Sequence, residues 1–324
     1  MRIAIIDIGT NSINLVMAEA RQDGTYSIIW KSKETARLGR GGINTGMLTP
    51  EAMQRGLDAI GRHMETIGRL GGVDRVLAIG TSAMRATSNG AELARQITEK
   101  YGIEVRIISG EEEAQLIFDG VKQVMPLGRE RVLVLDIGGG SCEFIIANKD
   151  GIVWKHSYEL GMARILDLYK PSDPITTKEI SAIEAFIRKG VMSHADEENP
   201  QDMNLYEALP AYPTSTLIGT SGSFSTMAAL VAGRNHPWLK VGLTTSYEIP
   251  LSNFEETYRK IIGSTQEQRL AMKQMDPARV DIIVPGVIFI NFVISELKME
   301  KLYQCGFALK EGAISRMIEE SQQK

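Results

Sequence analysis

An internal duplication constrains this chain more than any other feature of its sequence. The opening stretch "RIAIIDIGTNSINLVMAEA" lies over "RVLVLDIGGGSCEFIIANK", pairing Arg2 with Arg131, Asp7 with Asp136, Ile8 with Ile137, Gly9 with Gly138 and Ser12 with Ser141. A second match follows in the same order, for "LAIGTSAM" and "STLIGTSGS" share Gly-Thr-Ser at residues 80–82 and 219–221. Two matches in one order, at comparable offsets, predict two similar domains facing each other across a cleft. Between the copies, strand-like runs alternate with helix-like ones, which predicts an α/β architecture.

Helix starts are legible. In "TPEAMQRGLDAIGRHMETIGRL", Thr49 reads as the N-cap and Pro50 as the first helical residue, with Met53, Leu57, Ile60, Met64 and Ile67 along one face. Pro285 is expected to open another helix in the same way. The acidic, proline-bearing stretch "ADEENPQDMNLYEALPAYP" reads as an aperiodic surface excursion.

Composition excludes several classes. The 324 residues, 43% hydrophobic and 23% charged, suffice for two cores. A net charge of −4 argues against indiscriminate polyanion binding, so no nucleic-acid partner is expected, although a local basic groove is compatible with it. Cys142 and Cys305 are too few for a disulfide framework or a cysteine zinc site, and His63, His156, His194 and His236 lack ligand spacing. The longest apolar run, residues 282–294, contains Pro285 and Asn291 and falls short of the ~20 residues a membrane span needs. Arg2 is followed at once by a strand pattern holding Asp7 rather than by a secretory leader, so a cytoplasmic protein without a membrane partner is expected.

The glycines behind each aspartate carry the chemistry. Apolar runs flank both Asp-Ile-Gly segments, which predicts β-hairpins whose turns need residues tolerant of positive φ. Such turns leave backbone N–H groups uncovered, and a concave set of N–H donors cradles phosphate. Thr10 and Ser141 add hydroxyls. The carboxylates of Asp7 and Asp136 would then stand beside phosphate oxygens, which calls for a divalent cation between them. A lone Asp-Ile-Gly also suits a plain β-turn; the duplication favours the phosphate site.

The segments "AIIDIGTNSINLVMAE", "RLGRGG", "TGMLTPEAMQRGLDAI", "AIGTSAMRATSNG", "IISGEEEAQLIFDGV", "VLDIGGGSCEFII", "IGTSGSFSTMAAL" and "CGFALKEGAI" resemble, in this order, the signature segments of the exopolyphosphatase and guanosine pentaphosphate phosphohydrolase family. That family belongs to the actin, sugar-kinase and chaperone-ATPase superfamily, and "SGEEEA" ahead of "DIGGGS" is its specific mark.

The resemblance implies two duplicated ribonuclease-H-like domains, residues 1–124 and 125–307, with helix 308–324 packing back on the first. It implies a Mg²⁺- or Mn²⁺-dependent hydrolase that removes terminal phosphate from polyphosphate or guanosine pentaphosphate, with guanosine tetraphosphate as a further ligand. Glu113 would orient or deprotonate the attacking water. Glu111 would serve only as a partner of the helix dipole. Asp7, Asp136 and Glu143 match acidic positions near the metal, and alternation puts Glu143 on one face with Ser141. Thr10, Asn11, Ser12, Arg85, Gly138, Gly139, Gly140 and Ser141 match phosphate-binding positions; a surface arginine at a helix start is the alternative for Arg85. Gly219, Ser221 and Gly222 match a loop near the nucleotide.

Cys142 replaces a common threonine and Lys310 a common arginine, which bears on substrate preference rather than proton transfer. Ending at Lys324, the chain reads as a short form without the C-terminal helical extension of longer relatives, so a long polyphosphate channel is not expected. A homodimer is admitted. Two further readings stay open: a kinase-like ATPase of the same fold, and a non-catalytic sensor of nucleotide or alarmone. No G-x-x-x-x-G-K-[ST] occurs, so a P-loop enzyme is not indicated.

Overall fold

The computed structural model describes residues 1–193, 203–235 and 244–322. The chain divides into two compact units, Met1–Gly120 completed by the helix Leu309–Gln322, and Val121–Ala308.

The first unit runs β1 (Arg2–Ile8), β2 (Ile13–Ala20), β3 (Tyr26–Glu34), α1 (Pro50–Arg69), β4 (Arg75–Gly80), α2 (Ser82–Arg85), α3 (Gly90–Tyr101), β5 (Val105–Ile107) and α4 (Gly110–Val121). Its sheet has the order β3-β2-β1-β4-β5. β2 pairs antiparallel with β1 and β3, while β4 pairs parallel with β1 and β5. β1 is central, and Ile3, Ala4, Ile5, Ile6 and Ile8 are fully buried, the continuous apolar run expected of a strand covered on both faces. Asp7 interrupts that run. Thr49 caps α1 by accepting the N–H of Ala52 at 3.2 Å, and Leu57, Ile60 and Ile67 are buried on one face with Met53 and Met64 half-buried beside them.

The second unit repeats the plan with β6 (Val132–Ile137), β7 (Cys142–Asn148), β8 (Gly151–Tyr158), α5 (Met162–Tyr169), α6 (Thr177–Val191), α7 (Leu205–Ala211), β9 (Thr216–Thr220) and α8 (Ser221–Asn235). It continues through β10 (Ser246–Glu248), α9 (Leu251–Ile262), α10 (Gln266–Leu270), α11 (Ile283–Glu296) and β11 (Lys301–Cys305), after which α12 (Leu309–Gln322) returns to the first unit. The sheet order β10-β11-β9-β6-β7-β8 places β11 where the first unit has β5 and adds β10 at the edge. Three antiparallel strands in sequence order followed by two parallel neighbours, built twice, is the ribonuclease-H-like arrangement of actin-like ATPases. Each unit has its own core: one gathers β1, β2, α1 and α3, the other β6, β7, α8 and α11.

Three local expectations change. Pro285 is not the first residue of its helix; α11 begins at Ile283, which still leaves the proline in the first turn where a missing N–H costs nothing. The stretch read as an aperiodic excursion contains α7, started by a capping box in which the Asn204 side chain accepts from Glu207 N–H and Glu207 reaches back to the N–H of Asn204. Residues 195–202 of that stretch, with His194 and His236, lie outside the described residues. Third, Gly9 and Gly138 are not in the left-handed region; the reason they are glycine emerges with the site.

Candidate phosphate-binding and hydrolytic site

The turns between β1 and β2 and between β6 and β7 are built alike. Gly9 N–H donates to Ser12 O at 3.1 Å, and Gly138 N–H to Ser141 O at 3.0 Å. A Cβ on either glycine would stand 2.9 Å or 2.8 Å from that same oxygen, so close approach rather than positive φ excludes a side chain.

Both turns are pinned through their carbonyls. In the first unit, Thr10 O accepts from Gly39 N–H at 3.0 Å and Asn11 O from Arg37 N–H at 2.8 Å. In the second, Gly138 O accepts from Met162 N–H at 3.1 Å, Gly139 O from Ala163 N–H at 2.8 Å, and Gly140 O from Gly161 N–H at 3.1 Å. Among the described residues, the N–H groups of Gly139, Gly140 and Ser141 donate to no backbone carbonyl. A turn held by its oxygens presents its amides, the arrangement an anion needs. Thr10 and Ser141 are buried beside it, Asn11 and Ser12 half-buried.

Asp136 on β6 and Glu143 on β7 are cross-strand partners, so their side chains share one face of the sheet. Both are buried. At about 5 Å and an effective dielectric near 20, like charges repel by roughly 3 kcal/mol. Hydroxyl donors offset part of this, since Thr220 Oγ1 bonds Asp136 Oδ2 at 2.7 Å and Ser157 Oγ bonds Glu143 Oε1 at 2.7 Å. Arg279 supplies charge on the same side: burial pushes its guanidinium below the usual arginine range, while the Asp276 and Asp136 carboxylates oppose that shift. Arg279 escaped the sequence reading. Its signature lies in Gly222, where a Cβ would stand 1.5 Å from the guanidinium carbon, a proximity that one-dimensional sequence does not display.

In the first unit the partner opposite Asp7 is Asn14, which donates to Asp7 Oδ2 at 3.1 Å. Lys310 Nζ stands 3.7 Å from the same oxygen. Burial pushes the Asp7 carboxyl above its ordinary range, and Lys310 and Asn14 pull it back. The neighbouring Glu311 is buried and accepts from Lys31 Nζ at 3.0 Å; it too was missed, for nothing in "ALKEG" marks it as internal. A cavity of about 280 Å³ lined by Asn14, Lys31, Lys33 and Lys310, among others, opens there, a basic recess in an acidic protein.

Glu113 lies in the first turn of α4, which Ser109 starts by accepting Glu112 N–H at 3.1 Å. Its side chain is buried, and Arg85 Nη1 donates to Glu113 Oε2 at 2.9 Å and to Ile108 O at 3.1 Å. The structure therefore brings Arg85 to the candidate catalytic carboxylate. Glu111 is exposed. Ser221, with φ +66°, donates its hydroxyl to Ile137 O at 2.8 Å, bracing the end of β6. Gly219 leaves room for the Phe224 ring, whose nearest atom would meet its Cβ at 1.9 Å. Cys142 is buried with Sγ 3.5 Å from Leu160 O, on the face of β7 opposite Glu143.

The donor set fits a hard divalent cation: paired carboxylates with hydroxyls around them, and no sulfur or imidazole. Among the described residues no group of three or more histidine, cysteine, aspartate or glutamate side chains is placed to hold a metal ion. Mg²⁺ sites commonly use one or two carboxylates plus substrate phosphates.

Two units of ribonuclease-H-like topology, each with an aspartate before a pinned turn, define a protein of the actin-like ATPase fold. Within that class the chain belongs to the Ppx/GppA phosphatase family, which it matches over residues 3–321. It is 28% identical over 309 residues to exopolyphosphatase 2 of Mycobacterium tuberculosis, covering 92% of this chain and 91% of the relative. With exopolyphosphatase 1 of Mycobacterium bovis it shares 23% identity over 322 residues, 98% of this chain and 89% of the relative. The crystal structure of an exopolyphosphatase from Cytophaga hutchinsonii superposes with a TM-score of 0.91 at 32% identity, covering 99% of this chain and 98% of the other. The Aquifex aeolicus Ppx/GppA family member has the same fold, with a TM-score of 0.77 at 22% identity and 100% and 99% of the two chains covered.

Proposed function

We propose that this protein is a phosphoanhydride hydrolase that releases terminal phosphate from polyphosphate, from guanosine pentaphosphate, or from both. The observation that carries the proposal is the Glu113 carboxylate, buried in the first turn of α4 and held there by Arg85. A glutamate that merely complements the helix dipole has no need of burial, as Glu111 illustrates. A buried, oriented carboxylate is suited to aligning water for in-line attack, and Arg85 sets that orientation before substrate arrives.

The amides of Gly139, Gly140 and Ser141, with the turn of Thr10, Asn11 and Ser12, bind phosphate oxygens in this reading. Asp136 and Glu143 would hold Mg²⁺ or Mn²⁺, with Asp7 assigned on resemblance. Bound there, the ion would neutralise phosphate charge as the leaving group departs. The lysines of the recess beside Asp7 favour a polyanionic substrate, and the relatives named exopolyphosphatase support polyphosphate. Gly219, Ser221 and Gly222 are proposed near a nucleotide on resemblance; their packing roles stand without it.

The test is phosphate release from tripolyphosphate, long-chain polyphosphate, guanosine pentaphosphate and ATP in parallel, with and without chelator. Release from a polyphosphate or from the pentaphosphate, abolished by chelator and restored by Mg²⁺, is expected. Short chains should serve at least as well as long ones. Release from ATP alone would identify a kinase-like ATPase instead, and binding without any release would identify a sensor.

A further inference from the structure

We propose that Arg164 is a positioning residue that polarises the glycine turn of the second unit toward anions. Its Nε donates to Gly140 O at 2.8 Å, while a terminal nitrogen of the same guanidinium pairs with Glu159. The Arg164 side chain is only 12% exposed, so the contact is largely shielded from water. Gly140 O thus takes two donors, Arg164 Nε and Gly161 N–H.

A peptide carbonyl and the following N–H belong to one resonant group, and a cation bonded to the oxygen draws electron density out of the nitrogen. The group ending in Gly140 O carries Ser141 N–H at its other end. The two preceding groups, whose N–H ends are Gly139 and Gly140, meet neutral amide donors at Met162 and Ala163. The three presented amides are therefore unequal, with Ser141 N–H the strongest donor, where the turn passes into β7. An ordinary Arg–Glu surface pair would leave the turn untouched; here the better-shielded bond of the guanidinium goes to the turn itself. Arg164 acts in binding only if this turn is the phosphate cradle proposed above.

The test compares Arg164→Met and Arg164→Lys with the unaltered full-length protein. Amide proton shifts of Gly139, Gly140 and Ser141 are read by NMR, tripolyphosphate affinity by calorimetry, and kcat by phosphate release. Arg164→Met should move the Ser141 amide upfield by more than those of Gly139 and Gly140. It should weaken tripolyphosphate binding about tenfold, with kcat changed less than KM. Arg164→Lys, which keeps a cation within reach, should recover affinity to within roughly threefold of the unaltered protein. A Ser141 shift no larger than that of Gly139 overturns the polarisation. So does an equal loss of affinity and of melting temperature in both variants, which would make Arg164 a plain structural tie. An unaltered protein that binds no tripolyphosphate removes the cradle and the role of Arg164 in binding, while the amide shifts still decide whether the charge reaches Ser141.

Discussion

Glu113 and Glu111 stand two positions apart on α4, and their surroundings separate their roles: one is buried against Arg85, the other exposed. Replacing Glu113 with glutamine keeps the shape but removes the charge and basicity needed to orient a water, while the backbone cradle is untouched. We expect kcat to fall by about 10²- to 10⁴-fold with ligand Kd nearly unchanged. Glu111→Gln should alter kcat by less than about threefold, in line with a dipole contribution below ~1 kcal/mol. Phosphate release and calorimetric titration on both variants check this, and equal small effects would make Glu113 structural. Of these residues, the sequence displays the acidic run and, through resemblance, which glutamate matters. It does not display the partner, because α3, β5 and the start of α4 lie between Arg85 and Glu113 in the chain. Arg279 and Glu311 were invisible for the same reason: what marks them is burial against distant groups.

At the level of elements, hairpins and helix caps were legible because their rules are local: Thr49 and Pro50 announce α1, and the alternation of apolar runs announces β1–β2 and β6–β7. The purpose of the glycines was not. Gly9 and Gly138 read as residues for positive φ and prove to be residues for contact, a property set by atoms that fold against them. α7 was obscured by Pro210 inside it. One substitution at two glycines tests contact directly. Gly161 has φ −66°, which any residue accepts, yet a Cβ there would lie 2.3 Å from Gly139 O and Gly140 N. Gly161→Ala should therefore displace the turn and weaken tripolyphosphate binding by at least about tenfold, well beyond its effect on melting. Gly312→Ala gains helix propensity in α12 but would bring a Cβ to 1.9 Å from Leu116 O on α4. Its expected effect is a loss of about 1–3 kcal/mol of stability, read by thermal melting.

The whole molecule is two units of one topology, and the duplication announced that plan because the repeated strands are central in both sheets. The added β10 carries no counterpart in the first copy and so gave no such signal. The second unit is continuous, Val121–Ala308, with its own core, whereas the first draws on both Met1–Gly120 and α12. A fragment of residues 121–308 is accordingly expected to melt cooperatively by itself. A fragment of residues 1–120 should lack a cooperative transition unless α12 is linked to it; circular dichroism melts of the three species decide, and a sharp transition in residues 1–120 alone would refute the dependence. The route of the chain also sets a timetable on the ribosome. The strands made first remain uncovered on the side that α12 will occupy until the entire second unit has emerged, so Lys310 reaches Asp7 only after residues 121–308 have been made. Stalled or truncated chains would then carry a finished second unit beside an unfinished first one, lacking the cation beside its aspartate.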